Sequence, residues 1–293
     1  MPEYTIKKLL IESTDYLQQK GVENARFDAE NILAHYLNIS RSAIYLGAGN
    51  TVGEIQITEI KNAIIERGNR KPLQYILGFV EFCGCYIEVN ADVLIPRPET
   101  EFMVDLILQS TIHYQLSTVN CQLPTVNCQL PTILDLCTGS GAIAIAMKKK
   151  IPKAAVYASD ICEKALEIAR KNARYNDSDI LFIQSDLFEN NHHRFDLIIS
   201  NPPYVSEAEY HTSQPEIFFE PAKALIAGND GLYFYERIIN KAKQFLKKNG
   251  VLYLEIGSEQ TEKIKKIVNK IGTTELDIYK DLSNKDRIAR IKY

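Results

Sequence analysis

From residue 132 to the end of the chain, short apolar runs alternate with stretches of helical periodicity, and no other feature restricts the fold as much. Runs at 132–136, 155–159, 180–184, 195–200, 250–256, 276–280 and 287–291 have the length and the β-branched or aromatic content of strands. Helical patterns at 141–149, 163–175 and 231–248 fit between the first five. Strands joined through helices return parallel to one another, and the helices cover both faces of the sheet. The last two runs lack an intervening helix, so they are expected to pair as a hairpin that sets one antiparallel strand in the sheet. The expected fold class is α/β, with a seven-stranded, mostly parallel sheet.

The first part of the chain reads differently. Ile6, Leu9, Leu10 and Leu17, then Phe27, Ala29, Ile32, Leu33, Tyr36 and Leu37, recur at helical spacing, and further helix is expected over 53–67. Residues 1–71 thus read as a small helical bundle. Between 72 and 94 the chain becomes aromatic and glycine-punctuated. Gln74-Tyr75-Ile76-Leu77-Gly78 and the run from Phe82 to Val89 read as arms of a β-hairpin linking two domains. Residues 95–293 then hold the α/β domain. Near its start, Pro98 suits the first position of a helix, and Glu99 and Glu101 suit that helix's positive end. Residues 118–131 repeat Thr-Val-Asn-Cys-Gln-Leu-Pro in tandem, too few copies for a solenoid. They read as an insertion in a surface loop, where added length costs little.

Composition narrows the class. A 45% hydrophobic, 24% charged chain with net charge −3 is an ordinary globular protein, without the basic surplus of one that coats nucleic acid. The lysine-bearing start has no long apolar core, so no signal peptide is expected. The apolar run 142–147 is too short to span a bilayer. A cytoplasmic monomer is expected, with no membrane or direct nucleic-acid partner and with its six cysteines as free thiols. Cys83 and Cys85 lack a second pair at zinc spacing, and the histidines form no cluster, so no metal is expected.

Chemistry gathers where strands end. The first strand runs into Asp135-Leu136-Cys137-Thr138-Gly139-Ser140-Gly141, a turn whose glycines let a ligand approach the backbone. The second ends at Asp160, which can accept both hydroxyls of a ribose or cap the next helix. The third ends at Asp186, placed for an adenine amine, with Leu187 or Phe188 against the ring. The fourth ends in Asn201-Pro202-Pro203-Tyr204. There an amide oxygen and a backbone carbonyl can accept the two hydrogens of a planar NH2 group while Tyr204 stacks on its face. Such a set grips a planar nitrogen.

The order Asp135, Gly139-Ser140-Gly141, Asp160, Asp186, Asn201-Pro202-Pro203-Tyr204 resembles the class I methyltransferases that use S-adenosylmethionine. The resemblance implies a Rossmann-like domain, with a cofactor site at Asp135, Cys137, Thr138, Gly139, Ser140, Gly141, Asp160, Asp186, Leu187 and Asn201, and S-adenosylhomocysteine as product. The tetrapeptide alone leaves open adenine N6, guanine N2 or a protein amide. Pro72-Leu73-Gln74-Tyr75-Ile76, the segment Pro96-Arg97-Pro98-Glu99-Thr100-Glu101, Glu220-Pro221, Asp230-Gly231-Leu232, Glu255-Ile256-Gly257 and Asp286-Arg287 are similar to the HemK/PrmC family over nearly the full length. That resemblance implies methylation of N5 of the glutamine in the Gly-Gly-Gln motif of class I peptide chain release factors. The implied catalytic residues are Asn201, Pro202 and Tyr204, and the helical domain would dock the substrate.

Pro203, Arg97 and Glu220 are further candidates for the substrate side. Arg97 contacts substrate or pairs with Glu99 or Glu101, and Glu220 lines the pocket or caps the turn before Pro221. One departure matters: Cys137 stands where the family usually has glycine, and cofactor binding is expected to tolerate its Cβ if φ stays negative.

Overall fold

The computed structural model describes residues 4–118, 130–272 and 275–293. The chain forms two compact units, one of Met1–Phe79 with Gln214–Phe219 and one of Val80–Ser213 with Glu220–Tyr293.

The first unit is helical: α1 (Ile6–Gln19), α2 (Ala25–Leu37), α3 (Arg41–Leu46), α4 (Glu54–Gly68) and α5 (Leu73–Leu77). Thr5 caps α1 by accepting from the N–H of Lys8 at 3.3 Å, and Ser40 caps α3 by accepting from Ala43 at 3.2 Å. Leu9, Leu17, Ile32, Leu33, Ile44 and Ile60 are buried together, as their helical spacing requires. Arg67 on α4 reaches Asp28 at 2.6 Å and Glu216 at 3.0 Å, and Arg70 reaches Glu216 at 2.8 Å. The segment Gln214–Phe219 therefore belongs to this unit although the second unit flanks it on both sides.

One expectation is overturned here. Residues 74–78 are not a strand arm; they lie in α5 and its cap. The Pro72 carbonyl accepts from the N–H groups of Tyr75 and Ile76, and Gly78 ends the helix at φ 83°. Five residues are too few for periodicity to separate a buried turn of helix from a strand. The hairpin instead pairs β1 (Phe79–Phe82) with β2 (Cys85–Glu88). Its two-residue turn has Cys83 at φ 49° and Gly84 at φ 77°, the doubly left-handed geometry that matches strand twist.

The second unit contains, in chain order, α6 (Pro98–Thr118), β3 (Thr132–Leu136), α7 (Ala142–Lys150), β4 (Ala155–Asp160), α8 (Glu163–Tyr175), β5 (Leu181–Gln184) and β6 (Phe195–Ser200). There follow α9 (Glu207–Thr212), α10 (Tyr233–Phe245), β7 (Leu246–Glu255), α11 (Thr261–Lys270), β8 (Glu275–Lys280) and β9 (Asp286–Lys292). The seven strands lie in the order β5-β4-β3-β6-β7-β9-β8. Only β9 runs antiparallel, paired on both sides within the expected terminal hairpin. The β1–β2 hairpin is stitched to α8: Asn172 exchanges hydrogen bonds with the Glu88 backbone at 2.8 and 3.0 Å, and Asn176 donates to the Tyr86 carbonyl at 2.7 Å. The duplicated heptapeptide falls almost wholly outside the described residues. Among those residues no helix is long and apolar enough to cross a membrane.

Candidate active site

Strand order reverses between β3 and β6: from β3 the sheet grows toward β4 and β5, and from β6 toward β7. A crevice beyond the carboxyl ends of strands at such a point is where open α/β sheets bind ligands. The register brings those ends level, with Leu136 beside Ser200 on one side and Ser159 on the other. Ser200 Oγ donates to the Leu136 carbonyl at 2.6 Å and locks the two central tips. The loops carrying Asp135 to Gly141, Asp160, Asp186 and Asn201 thus leave the same edge.

On the β3 side, Asp135 is fully buried. Its Oδ2 accepts from Thr138 Oγ1 at 2.5 Å and from the N–H of Ala144 at 3.1 Å, while Oδ1 has no partner among the described residues. Burial pushes its carboxyl up to about 7, against those hydrogen bonds. An orphaned buried acceptor of this kind suits a cationic donor such as an ammonium group. Asp160 Oδ2 accepts from the N–H of Gly139 at 2.9 Å and Oδ1 from that of Cys162 at 2.9 Å. Each oxygen keeps a lone pair for a hydroxyl, which leaves the ribose reading open; the cap reading is not met, because the N-cap of α8 is Cys162 and it makes no side-chain cap hydrogen bond. Gly139, at φ 54°, has open space where a Cβ would stand. Gly141, at φ 83°, would place a Cβ 3.0 Å from that of Ala169, so its hydrogen lets the turn pack on α8. The buried Ser140 holds that turn from behind, its carbonyl accepting from Asn172 Nδ2 at 2.9 Å.

Cys137 does not meet the condition under which its Cβ was expected to be tolerated. Its φ is 63°, in the left-handed region, not negative. The loop keeps the backbone path that a glycine would take, at a strain of about 1–2 kcal/mol for a residue with a Cβ. The thiol packs against the sheet core, and burial raises its pKa. Asp186 also differs in surroundings: its Oδ2 accepts from Arg237 Nη2 at 2.9 Å, which fixes the carboxylate beside the buried Leu187.

On the β6 side, Asn201 Nδ2 donates to Thr100 Oγ1 at 3.1 Å, and Thr100 Oγ1 donates to Glu255 Oε2 at 2.6 Å. Pro202 and Pro203 are buried and Tyr204 is half-buried. Desolvation raises the Tyr204 phenol, so it stays neutral. The Tyr204 carbonyl accepts from Gln260 Nε2 at 2.9 Å. Arg97 pairs with Glu220 at 2.5 Å rather than with Glu99 or Glu101, and Glu220 Oε2 also accepts from the N–H of Ile95 at 3.1 Å. Thr100, Glu255, Gln260, Asn172 and Arg237 were not singled out by sequence as site residues. Thr100 lies inside the Pro-Arg-Pro-Glu-Thr-Glu segment, and Glu255 ends a strand and opens the family-like Glu255-Ile256-Gly257; none of these signals joins the two residues.

The methyltransferase small domain family matches residues 122–234, and the PrmC N-terminal domain family matches residues 8–78. Among solved structures, the hMettl16 catalytic domain in complex with a MAT2A 3'UTR hairpin is 14% identical with a TM-score of 0.53, covering 83% of this chain and 84% of its own, and shares the fold. Fold, switch point and strand-end site define a Rossmann-like methyltransferase. The release factor glutamine methyltransferase of Geobacter sulfurreducens is 34% identical over 98% of this chain and 96% of its own length. That of Chlamydia trachomatis is 38% identical over 96% and 92%. The chain belongs to the release factor glutamine methyltransferase family, HemK/PrmC.

Proposed function

We propose that this enzyme transfers a methyl group from S-adenosylmethionine to N5 of the glutamine in the Gly-Gly-Gln motif of class I release factors, and so modulates translation termination in the cytoplasm. Family membership supports the substrate. The observation that carries the chemistry is the anchored Asn201 amide beside the acids of β3, β4 and β5 at one sheet edge.

Bound S-adenosylmethionine would supply a methyl carbon made electrophilic by its sulfonium, with S-adenosylhomocysteine as product and the nitrogen's displaced proton released to water. Asp135 Oδ1 would hold its ammonium, Asp160 its ribose and Asp186 its adenine amine, with Cys137, Thr138, Gly139, Ser140, Gly141 and Leu187 shaping the walls. An amide nitrogen is a weak nucleophile because its lone pair is delocalised. The protein's work is therefore placement, which in favourable cases is worth about 7–11 kcal/mol. Asn201 Oδ1 and the Pro202 carbonyl accept the two amide hydrogens and so orient the nitrogen. Tyr204, neutral and next to the buried Pro203 in the chain, covers the amide plane. Arg97, one third exposed and braced by Glu220, borders the substrate side, and the helical unit docks the release factor.

Incubation with radiolabelled S-adenosylmethionine and a purified release factor tests the reading. Label is expected on the native factor and not on one whose Gly-Gly-Gln glutamine is alanine. Equal labelling of both, or labelling of an adenine-containing oligonucleotide instead, overturns it.

A further inference from the structure

The Thr100 hydroxyl has one hydrogen and two lone pairs. Ionised Glu255 can only accept, so the 2.6 Å contact takes that hydrogen. The Thr100 oxygen is left solely as an acceptor, and only the NH2 end of Asn201 can face it, as it does at 3.1 Å. Asn201 Oδ1 must then point the other way. The two amide ends of a free asparagine differ little in shape, so without this chain either orientation is open. Turned the wrong way, Asn201 would set an NH2 group against the substrate's own NH2. Thr100 is 3% exposed and Glu255 1%, so water does not substitute for either partner.

We propose that Thr100 and Glu255 are positioning residues for methyl transfer, whose hydrogen-bond chain sets the polarity of the Asn201 amide. The inference rests on the reading of Asn201 as the acceptor of the substrate amide. Glu255 is faced by Thr100, Arg97 and Glu99 from the start of α6, Tyr204 after β6, Tyr235 on α10 and Arg287 on β9. Burial outweighs the help of Thr100 and Arg287 and raises its carboxyl to about 7. Once protonated, Glu255 can donate to Thr100, Thr100 can donate to Asn201 Oδ1, and the amide inverts. E255Q offers the same donor permanently when its NH2 group faces Thr100, the orientation that puts its oxygen toward the positive charge of Arg287.

The test compares wild type, T100S, T100V and E255Q in methyl transfer to a release factor, with cofactor affinity and melting temperature measured for each. T100S is expected to stay within about 3-fold of wild type, while T100V and E255Q lose about 100-fold in kcat with KM nearly unchanged. With S-adenosylmethionine saturating at every pH, wild-type kcat is expected to fall about tenfold per pH unit below 7, and the E255Q profile to be flat. Native kcat in T100V, or an equal loss in T100S, overturns the inference. The NMR signal of the Asn201 side-chain amide decides without turnover. Its hydrogens are expected to be protected from exchange in wild type and T100S but not in T100V, and equal protection in T100V overturns the inference. A wild-type enzyme that labels no release factor overturns the substrate reading alone.

Discussion

Gly231 lies directly against the carbonyl oxygen of Tyr204. A Cβ at this position would overlap that oxygen and stand 2.6 Å from Gln260 Nε2, which itself holds the Tyr204 carbonyl at 2.9 Å. The residue is also left-handed, at φ 75°. The backbone that carries Asn201 to Tyr204 is thus braced from behind by a glycine that has no room for a side chain.

Gly231→Ala is expected to displace Tyr204 and to combine overpacking with backbone strain, for a loss of about 2–4 kcal/mol of stability. Methyl transfer should fall by more than the unfolded fraction explains, because the surviving folded molecules have a shifted Tyr204. With the cofactor site proposed at the ends of β3 to β5, cofactor affinity should change little. Urea unfolding, equilibrium binding of S-adenosylmethionine and single-turnover rates separate the three effects. A variant with wild-type rate would show that Tyr204 has no need of this support.

Asp135 supplies a pH signature for cofactor binding. Its carboxyl, raised to about 7 by burial, is largely protonated below that pH, whereas an ammonium group requires the carboxylate. Affinity for S-adenosylmethionine is therefore expected to rise with pH, about tenfold per unit up to 7, and then level off. Binding near pH 6 should release a proton, measurable by calorimetry in buffers of different ionisation enthalpy. D135N should bind weakly at every pH and release none.

The left-handed Cys137 makes a third test. Cys137→Gly relieves the steric penalty at φ 63° but loosens the unfolded chain, so its stability should stay within about 1 kcal/mol of wild type and its cofactor affinity should persist. Cys137→Val places a β-branched residue in the same region and should cost about 2–3 kcal/mol. Thermal melts with and without cofactor distinguish the pair. Equal stability of the two variants would mean that the loop had moved to negative φ.

Much of this was legible in the sequence because period and position carry it. The strands β3 and β6 were located to the residue by apolar runs bounded by acids, Gly or Asn-Pro, and the α/β order followed from their alternation with helices. The α5 segment was misread because five residues of mixed aromatic and aliphatic character fit either period. The sign of φ at Cys137 stays open in the sequence, because residue type alone does not fix the conformation that the neighbouring turn imposes. The Thr100–Glu255 chain joins residues 155 positions apart, and nothing local in either segment announces a partner. The fate of Glu220 and Arg97, paired across 123 positions, was hidden for the same reason.

The ion cluster of the helical unit tests a structural role. Arg67 bridges Asp28 and Glu216 with its own side chain only 10% exposed and that of Asp28 7%. Removing the guanidinium strands a buried carboxylate, and R67A is expected to destabilise this unit by about 3–5 kcal/mol. The loss should depend on pH with a definite sign. Burial already raises the Asp28 carboxyl above its ordinary value despite the opposing pull of Arg67. A raised carboxyl binds its proton more tightly in the folded state, so stability falls as pH rises from the ordinary carboxylate range through the folded value. Without Arg67 that folded value climbs further, and the window widens toward neutrality. R67A should therefore lose more stability relative to wild type at pH 7 than at pH 5, and the further change D28N should recover part of the loss at pH 7. Urea unfolding at the two pH values checks this, and an R67A deficit independent of pH would mean that Asp28 finds another partner or water once the guanidinium is gone.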